Sequence, residues 1–433
     1  MKELLFLICI PILYFYPVLY PPIASFTAIF FAESKQFNYL SAFLVFSAII
    51  ISSLIAATII PRSDTLVYVE SFKNAVSMAI DFYSPFEPGY QIYEYLLNIL
   101  TGKNEKLFLL LTALIFNIFS IIGISRICLN LNQPNMSYIV ICIYFSLVQP
   151  SMGLPLFLIR SNLSLAIMLL SISFFKQKQI VSYLLAIISI TIHYGTIIIL
   201  CVLIHNELWP LFRRNKIILR LFSRTREIII IICLSCFLLT IFNPDVINSI
   251  LSSLINIFGQ SGLLGSNKLQ WFIINSSGND TYINIFSPLF IFQIGIGMLC
   301  FLNLNKDLFT DVNQYQYLIS LRAIGIAQIL TIMITLPFSL LPVRLGLFYF
   351  LYFPLWVINI PFLSISKKIS NYRNKYRKYL ILFSMFLVLY LTLNILPKKQ
   401  NQDYSDSKVN ADLVVLEGKP LDYKLIPLIE YFL

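Results

Sequence analysis

The sequence predicts an all-α, polytopic transmembrane helical bundle of about 11–12 membrane segments, several of them short or broken. Three observations carry that prediction. Of 433 residues, 58% are hydrophobic and only 12% charged, where water-soluble domains run at roughly 45–50% and about 25%. The mean hydropathy of +0.81 leaves no room for a large soluble domain. The apolar residues also gather in runs of about twenty, enough to cross a ~30 Å hydrocarbon core. A membrane β-barrel is excluded, because its strands would alternate apolar and polar residues.

The elements follow in chain order. The apolar run 4–31 is broken by Pro21-Pro22 and reads as one kinked span or as a tight hairpin. It lacks a small-residue cleavage site and leads straight into further spans, so it is not a removable signal peptide. Spans follow near 38–60 and 107–129. The region 137–212 divides less cleanly, into apolar pieces at 137–149, 163–175 and 180–204 with polar or Pro/Gly-containing links. Later spans lie near 228–243, 283–302, 317–341, 345–363 and 379–396. Residues 1–396 thus form one multi-span domain. Its sizeable non-membrane parts are the loop 61–106 and the segment 244–282, and a tail covers 397–433.

The chain holds 31 Lys+Arg against 20 Asp+Glu, a net charge of +11. Nucleic-acid binding is the poorer reading of that excess, because cytoplasmic loops of membrane proteins are enriched in Lys and Arg. The loops 205–227 (Arg213, Arg214, Lys216, Arg220, Arg224, Arg226) and 367–378 (Lys367, Lys368, Arg373, Lys375, Arg377, Lys378) are such loops. The spans between them are even in number, which places both loops inside. The segment 244–282, the turn at Arg344 and the tail 397–433 then lie outside.

The first half is open to two readings. With 61–106 outside, the run 180–204 must bend back at His193-Tyr194-Gly195, and residues 180–192 cover only ~20 Å. Helices that short cannot cross alone, and their outer ends would surround a recess below the membrane surface. The rival keeps 180–204 as one span and puts 61–106 in the cytoplasm. Lysines and arginines are divided too evenly to choose.

Four groups could carry chemistry. Arg62, Asp64 and Tyr68 follow a span directly, and Glu87-Pro88-Gly89-Tyr90 comes later in the same loop. A carboxylate there can act as base or bind sugar hydroxyls, and Tyr68 and Tyr90 offer stacking faces for pyranose rings. The bland alternative is a solvated loop, since 61–106 also carries Glu70, Asp81, Glu94 and Glu105. Arg160-Ser161-Asn162 opens an apolar helix. An arginine at membrane depth usually faces a cavity, and its planar fork suits phosphate; snorkelling to the headgroups is the alternative. His193, followed by Tyr194, coincides with the expected break. Arg344 lies between two apolar helices on the outer side. Arg126 and Arg322 fall near cytoplasmic helix ends, where snorkelling suffices.

With His193 and His205 the sole histidines, a multi-histidine metal site is impossible from this chain. No metal or cofactor is expected. The seven cysteines sit within or at the end of apolar runs and read as packing residues, the Cys233/Cys236 pair included. Walker A, GxGxxG, HExxH and nucleophile-elbow motifs are absent.

The order Arg-x-Asp-x-x-x-Tyr (Arg62 to Tyr68), Glu-x-Gly-Tyr (Glu87 to Tyr90), Ile-Arg-Ser-Asn-Leu-Ser-Leu-Ala-Ile (from Ile159) and Ile-His-Tyr-Gly-Thr (from Ile192) resembles the EpsG/Wzy group of bacterial polysaccharide polymerases. The group includes the O-antigen polymerases. Residues 38–205 carry the resemblance, and the rest follows by topology. It implies an inner-membrane glycosyltransferase with 61–106, Arg160, His193 and Arg344 facing the periplasm. The implied reaction moves a growing glycan from undecaprenyl pyrophosphate to the terminal sugar of another lipid-linked repeat unit. Arg160 and Arg344, with Arg62 in support, would stabilise the leaving pyrophosphate; Asp64, Glu87 or His193 would be the base. Tyr68, Tyr90, Asn162 and Tyr194 would contact substrate. The implied partners are the lipid-linked repeat units, with a chain-length regulator and a flippase in the same membrane. Two alternatives stand beside this. A GT-C-type glycosyltransferase adding a single sugar shares the acidic first outer loop and short helices. A lipid-linked oligosaccharide flippase would show two matching halves, which this chain lacks.

Overall fold

The computed structural model describes residues 2–32, 38–58, 63–75, 80–81, 84, 86–148, 158–175, 177–212, 235, 294–309, 311–335, 350–363 and 372–395. Arg62, Arg344, the basic cluster 213–226, the segment 244–282 and the tail 397–433 fall outside the described residues.

The described chain is helical apart from one antiparallel bridge between Leu304 and Leu363. Its helices are α1 Lys2–Phe15, α2 Tyr20–Ala32, α3 Asn38–Ala56, α4 Ser63–Asn74, α5 Pro88–Thr101, α6 Glu105–Asn130, α7 Pro134–Val148, α8 Ile159–Phe174, α9 Gln179–Ile192, α10 Ile197–Phe212, α11 Val312–Thr335 and α12 Tyr372–Ile395. Residues Phe350–Phe362 wind as a tighter 3-10 helix. Among the described residues, three helices are long and apolar enough to cross a membrane: Asn38–Ala56, Glu105–Asn130 and Val312–Met333. The helices α7, α8 and α9 are apolar but shorter. The molecule is therefore a polytopic helical membrane protein.

The chain divides into two compact units. One comprises Met1–Ile197, Asn303–Tyr317 and Val357–Leu433, the other Ile198–Leu302 and Leu318–Trp356.

In the first unit the N-terminal run is a hairpin. Cys9 faces Thr27 and the Phe6 ring meets Phe31 edge-on, as two antiparallel helices require. The reversal falls at Tyr16-Pro17, not at Pro21-Pro22. Those two prolines occupy the first turn of α2, where a missing N–H costs nothing.

The helix α6 is the axis of this unit and packs against α3, α4, α5, α7 and α8. Polar side chains tie the apolar helices together. Asn117 of α6 donates to Ser53 Oγ of α3 at 2.9 Å and accepts from the Tyr144 hydroxyl of α7 at 2.7 Å, all buried. At Gly123 a Cβ would stand 3.0 Å from Leu169, so the glycine lets α8 approach closely. Arg126 lays its guanidinium 3.9 Å over the Phe174 ring and donates to Gln177. This is a defined contact of the α6 and α8 ends, not a free snorkelling chain.

In the second unit Arg322 lies within α11 instead of at a helix end. Its Nε and Nη2 donate to the Cys300 carbonyl, and Nη2 also to that of Leu302, so it satisfies backbone acceptors that membrane burial would orphan. At Gly325 a Cβ would fall 2.5 Å from Cys300 Sγ.

The α3–α6–α7 seam predicts the outcome of Asn117→Ala. The substitution removes the buried hydrogen bonds that join the Tyr144 hydroxyl and Ser53 through one side chain, at a cost of about 1–2 kcal/mol. Thermal unfolding of the purified protein should show the loss; unchanged unfolding would mean the seam contributes nothing.

Candidate functional site

The loop between α3 and α6 folds into two short helices that stack on the ends of α8 and α9. On α4, Asp64, Tyr68 and Ser71 fall on one face at i, i+4 and i+7. The helix α5 starts sharply. Glu87 is its N-cap in extended conformation, Pro88 is the first helical residue, and the Tyr90 and Gln91 amides donate to the Glu87 carbonyl. It stops as sharply at Gly102, which takes the left-handed conformation with φ +60°. Asn104 then caps α6 by accepting from the Lys106 and Leu107 amides.

Three further features deliver the partners. Arg160 is the second residue of α8, in the positive turn of the helix, where a cation needs an anion beside it. His193 follows α9 with φ −154° and ψ 117°, turning the chain into a short 3-10 turn, Tyr194–Thr196. Buried hydroxyls lock that break: Ser189 Oγ donates to the Ser164 carbonyl at 2.7 Å, and Thr196 Oγ1 to the His193 carbonyl at 2.9 Å. Gly89 lets α5 touch α9, since a Cβ there would stand 2.4 Å from Thr191 Oγ1 and 2.7 Å from the Thr191 backbone.

The result is a three-membered polar cluster centred on Glu87. One carboxylate oxygen pairs with Arg160 Nη1; the other accepts from His193 Nδ1 at 3.0 Å. Arg160 Nε donates to the Tyr68 hydroxyl at 3.4 Å, and its guanidinium lies 4.9 Å from the Phe86 ring centroid and 5.6 Å from that of Tyr68. Glu87 is 7% exposed. Burial pushes its carboxyl upward, but the His193 hydrogen bond and the Arg160 charge outweigh it and hold the group down at about 2. Glu87 therefore stays ionised. The Nδ1 contact fixes the orientation of the His193 imidazole.

The structure thus gathers Tyr68, Glu87, Arg160 and His193. Asp64 sits in the first turn of α4, half-buried and one turn from Tyr68, whose hydroxyl feels its charge. Tyr194 is half-exposed beside His193. Asn162 is buried along α8. The expected stacking faces need correction. Tyr90 is 0% exposed, its ring enclosed by Tyr68, Phe86 and Tyr93, and Tyr68 is buried too. They form the wall behind Arg160, not an open platform for a sugar. Phe86 was not among the expected residues; an aromatic beside Glu87 in a membrane-facing loop was its only signal. Among the described residues no group of three or more His, Cys, Asp and Glu could hold a metal. A groove of about 500 Å³ at the other end of α6, lined by Val45, Phe46, Leu129 and Tyr138, contains none of these side chains.

A family model described as the EpsG family matches residues 41–407. No curated protein and no solved structure matches the chain.

Two outcomes test the cluster itself. Gly89→Ala should drive α5 from α9 and part Glu87 from His193, costing about 1–3 kcal/mol in thermal unfolding. Thr191→Ala should restore only part of that, because the Thr191 backbone also blocks the new Cβ. The Glu87 carboxyl lies below its ordinary 4.5, so the stability it contributes is present above that pH and lost as pH falls through about 2. Glu87→Gln should be less stable by about 3 kcal/mol near neutrality, and the gap to the native protein should close on acidification. A gap constant with pH would show that no ionised Glu87 bridges the two bases.

Proposed function

Because the chain belongs to the EpsG family, that of the Wzy/EpsG-type polysaccharide polymerases, we propose that the Glu87 cluster is the transfer site of a lipid-linked glycan polymerase. In this reading a growing glycan moves from undecaprenyl pyrophosphate to the terminal sugar hydroxyl of another lipid-linked repeat unit, on the periplasmic face of the inner membrane. The carrying observation is that one ionised carboxylate holds a guanidinium and an imidazole together at the mouths of two short apolar helices.

Each group has a task the chemistry requires. The bond from the anomeric carbon to the pyrophosphate oxygen breaks as the acceptor oxygen bonds to that carbon. Charge grows on the leaving pyrophosphate, and Arg160 meets it with a planar fork already oriented by Glu87, Tyr68 and Phe86. The acceptor hydroxyl gives up its proton as it attacks. His193 is the base in this reading, its ring oriented by the Glu87 contact to Nδ1. Glu87 itself, kept at about 2, is too weak a base and acts as the orienting anion. Asp64 on the rim binds sugar hydroxyls, beside Tyr194. Arg62 and Arg344 add to the positive field, and Asn162 supports the Arg160 turn from within α8.

The contact of Glu87 with both Arg160 and His193 supports one shared side of the membrane for all three, and a periplasmic side is part of the proposal. The test is reconstitution of the full-length protein with lipid-linked repeat units, with product lengths read on a gel. Arg160→Ala should abolish the ladder of chain lengths, and Arg160→Lys should not restore it, since an ammonium lacks the fork. His193→Ala should lower turnover by about 10²–10⁴-fold. Normal ladders from Arg160→Ala and His193→Ala would overturn the assignment, and a native product longer by a single sugar would point to a GT-C-type transferase.

A further inference from the structure

The face of α5 that carries Glu87 continues inward. Glu87, Tyr90 and Glu94 share it at i, i+3 and i+7, and α4 packs against α5. Ser71 of α4 donates to Glu94 Oε2 at 2.7 Å, and the Tyr68 and Tyr90 rings meet edge to face. Glu94 is 2% exposed, and its Oε1 has no hydrogen-bond partner. The Tyr90 hydroxyl, one turn before it on the helix, is equally buried and equally without one. These two buried groups are coupled to each other and belong to the wall that backs Arg160.

An unpaired buried carboxylate is costly, and such groups are kept neutral unless a cation meets them. No basic side chain among the described residues pairs with Glu94. Ser71 of α4 bonds it, and Tyr90 and Tyr93 of α5 itself couple to it, the Tyr93 hydroxyl being bonded to Thr112 of α6. Lys73 is paired with Glu105 at an exposed end. Arg160 on α8 reaches Glu94 only through its field, being bound to Glu87 and Tyr68. Burial is the largest influence and lifts the carboxyl to about 7, against the opposing pull of Ser71, Tyr90 and Arg160.

We propose that Glu94 is a positioning residue of the site, held as the neutral acid so that its proton anchors the Tyr90 hydroxyl and, through the Tyr68–Tyr90 wall, fixes Arg160. Neutrality is what makes it useful. A second carboxylate behind Glu87 would compete for Arg160 and weaken the field that a leaving pyrophosphate requires. The link to catalysis rests on the polymerase reading; the protonation state does not.

Full-length Glu94→Gln and Glu94→Ala separate the possibilities. Gln is the neutral isostere, able to accept from Ser71 and donate to Tyr90. It should extend glycan within about twofold of the native rate, whereas Ala should lose about tenfold or more. The native rate should fall above about pH 7 as the carboxylate forms, and the Gln rate should not. A carboxyl raised above its ordinary 4.5 contributes stability that is full below that pH and lost as pH rises through about 7. The melting temperature of Glu94→Gln relative to the native protein should therefore climb across that interval. A difference independent of pH would overturn the neutral acid. A folded Gln variant as inactive as Ala, or an Ala variant with native turnover, would overturn the positioning role. If the native protein extended no glycan, the polymerase reading would fall while the melting-temperature comparison still decided the state of Glu94.

Discussion

The Glu87 carboxylate, shared between Arg160 and His193, is the contact on which the rest of the site depends. Each partner alone would be poorly placed. Arg160 sits in the positive turn of α8, and His193 ends an apolar helix. Bringing one anion between them cancels the unfavourable helix end and gives the imidazole a fixed orientation. It also draws α5 onto α8 and α9, so the ion pair is both chemistry and architecture. The backbone is shaped to allow it: Pro88 starts α5 directly after the anion, and Gly89 removes the side chain that would hold α5 away from Thr191.

Around this centre the protein uses two packing languages. In the spanning helices, contact is made by small residues and buried amides or hydroxyls: Gly123 against Leu169, and Asn117 between Ser53 and Tyr144. Lipid offers no hydrophobic reward for helix association, so close approach and hydrogen bonds must hold the bundle. The two loop helices instead pack through an aromatic cluster of Tyr68, Phe72, Tyr90 and Tyr93 with Phe86 before α5 and Phe108 of α6, Phe72 and Phe108 being stacked at 4.2 Å. That cluster stands as a rigid back wall to a site whose front is polar.

Much of this was legible in the residues. Continuous apolar runs announced α3 and α6, whereas a histidine and glycine inside such a run offered the break after Ile192 as only one of two readings. Arg160, Glu87 and His193 stood out singly, because charge is rare in such company. Their meeting was not legible, since Glu87 lies 73 residues from one partner and 106 from the other. The N-terminal turn was displaced because proline breaks a helix in its interior but opens one in its first turn, and Pro21-Pro22 do the second. A hydroxylated ring suits a sugar or a core equally, and only packing reveals that Tyr68 and Tyr90 are buried. Glu94 was hidden among the acids of its loop until α5 placed it seven residues, two turns, beyond Glu87.

The shortness of α8 and α9 has a consequence for where the protein can reside. At 16 and 14 residues they reach only roughly 24 and 21 Å along their axes, well under the thickness of an average hydrocarbon layer. Acyl chains bordering α9, which exposes Ile180, Leu184 and Ile188, would have to compress to meet it, a hydrophobic mismatch that favours thin, disordered lipid over long saturated chains. The same dimple would bring the headgroup plane, and any phosphate riding in it, down to the level of the guanidinium.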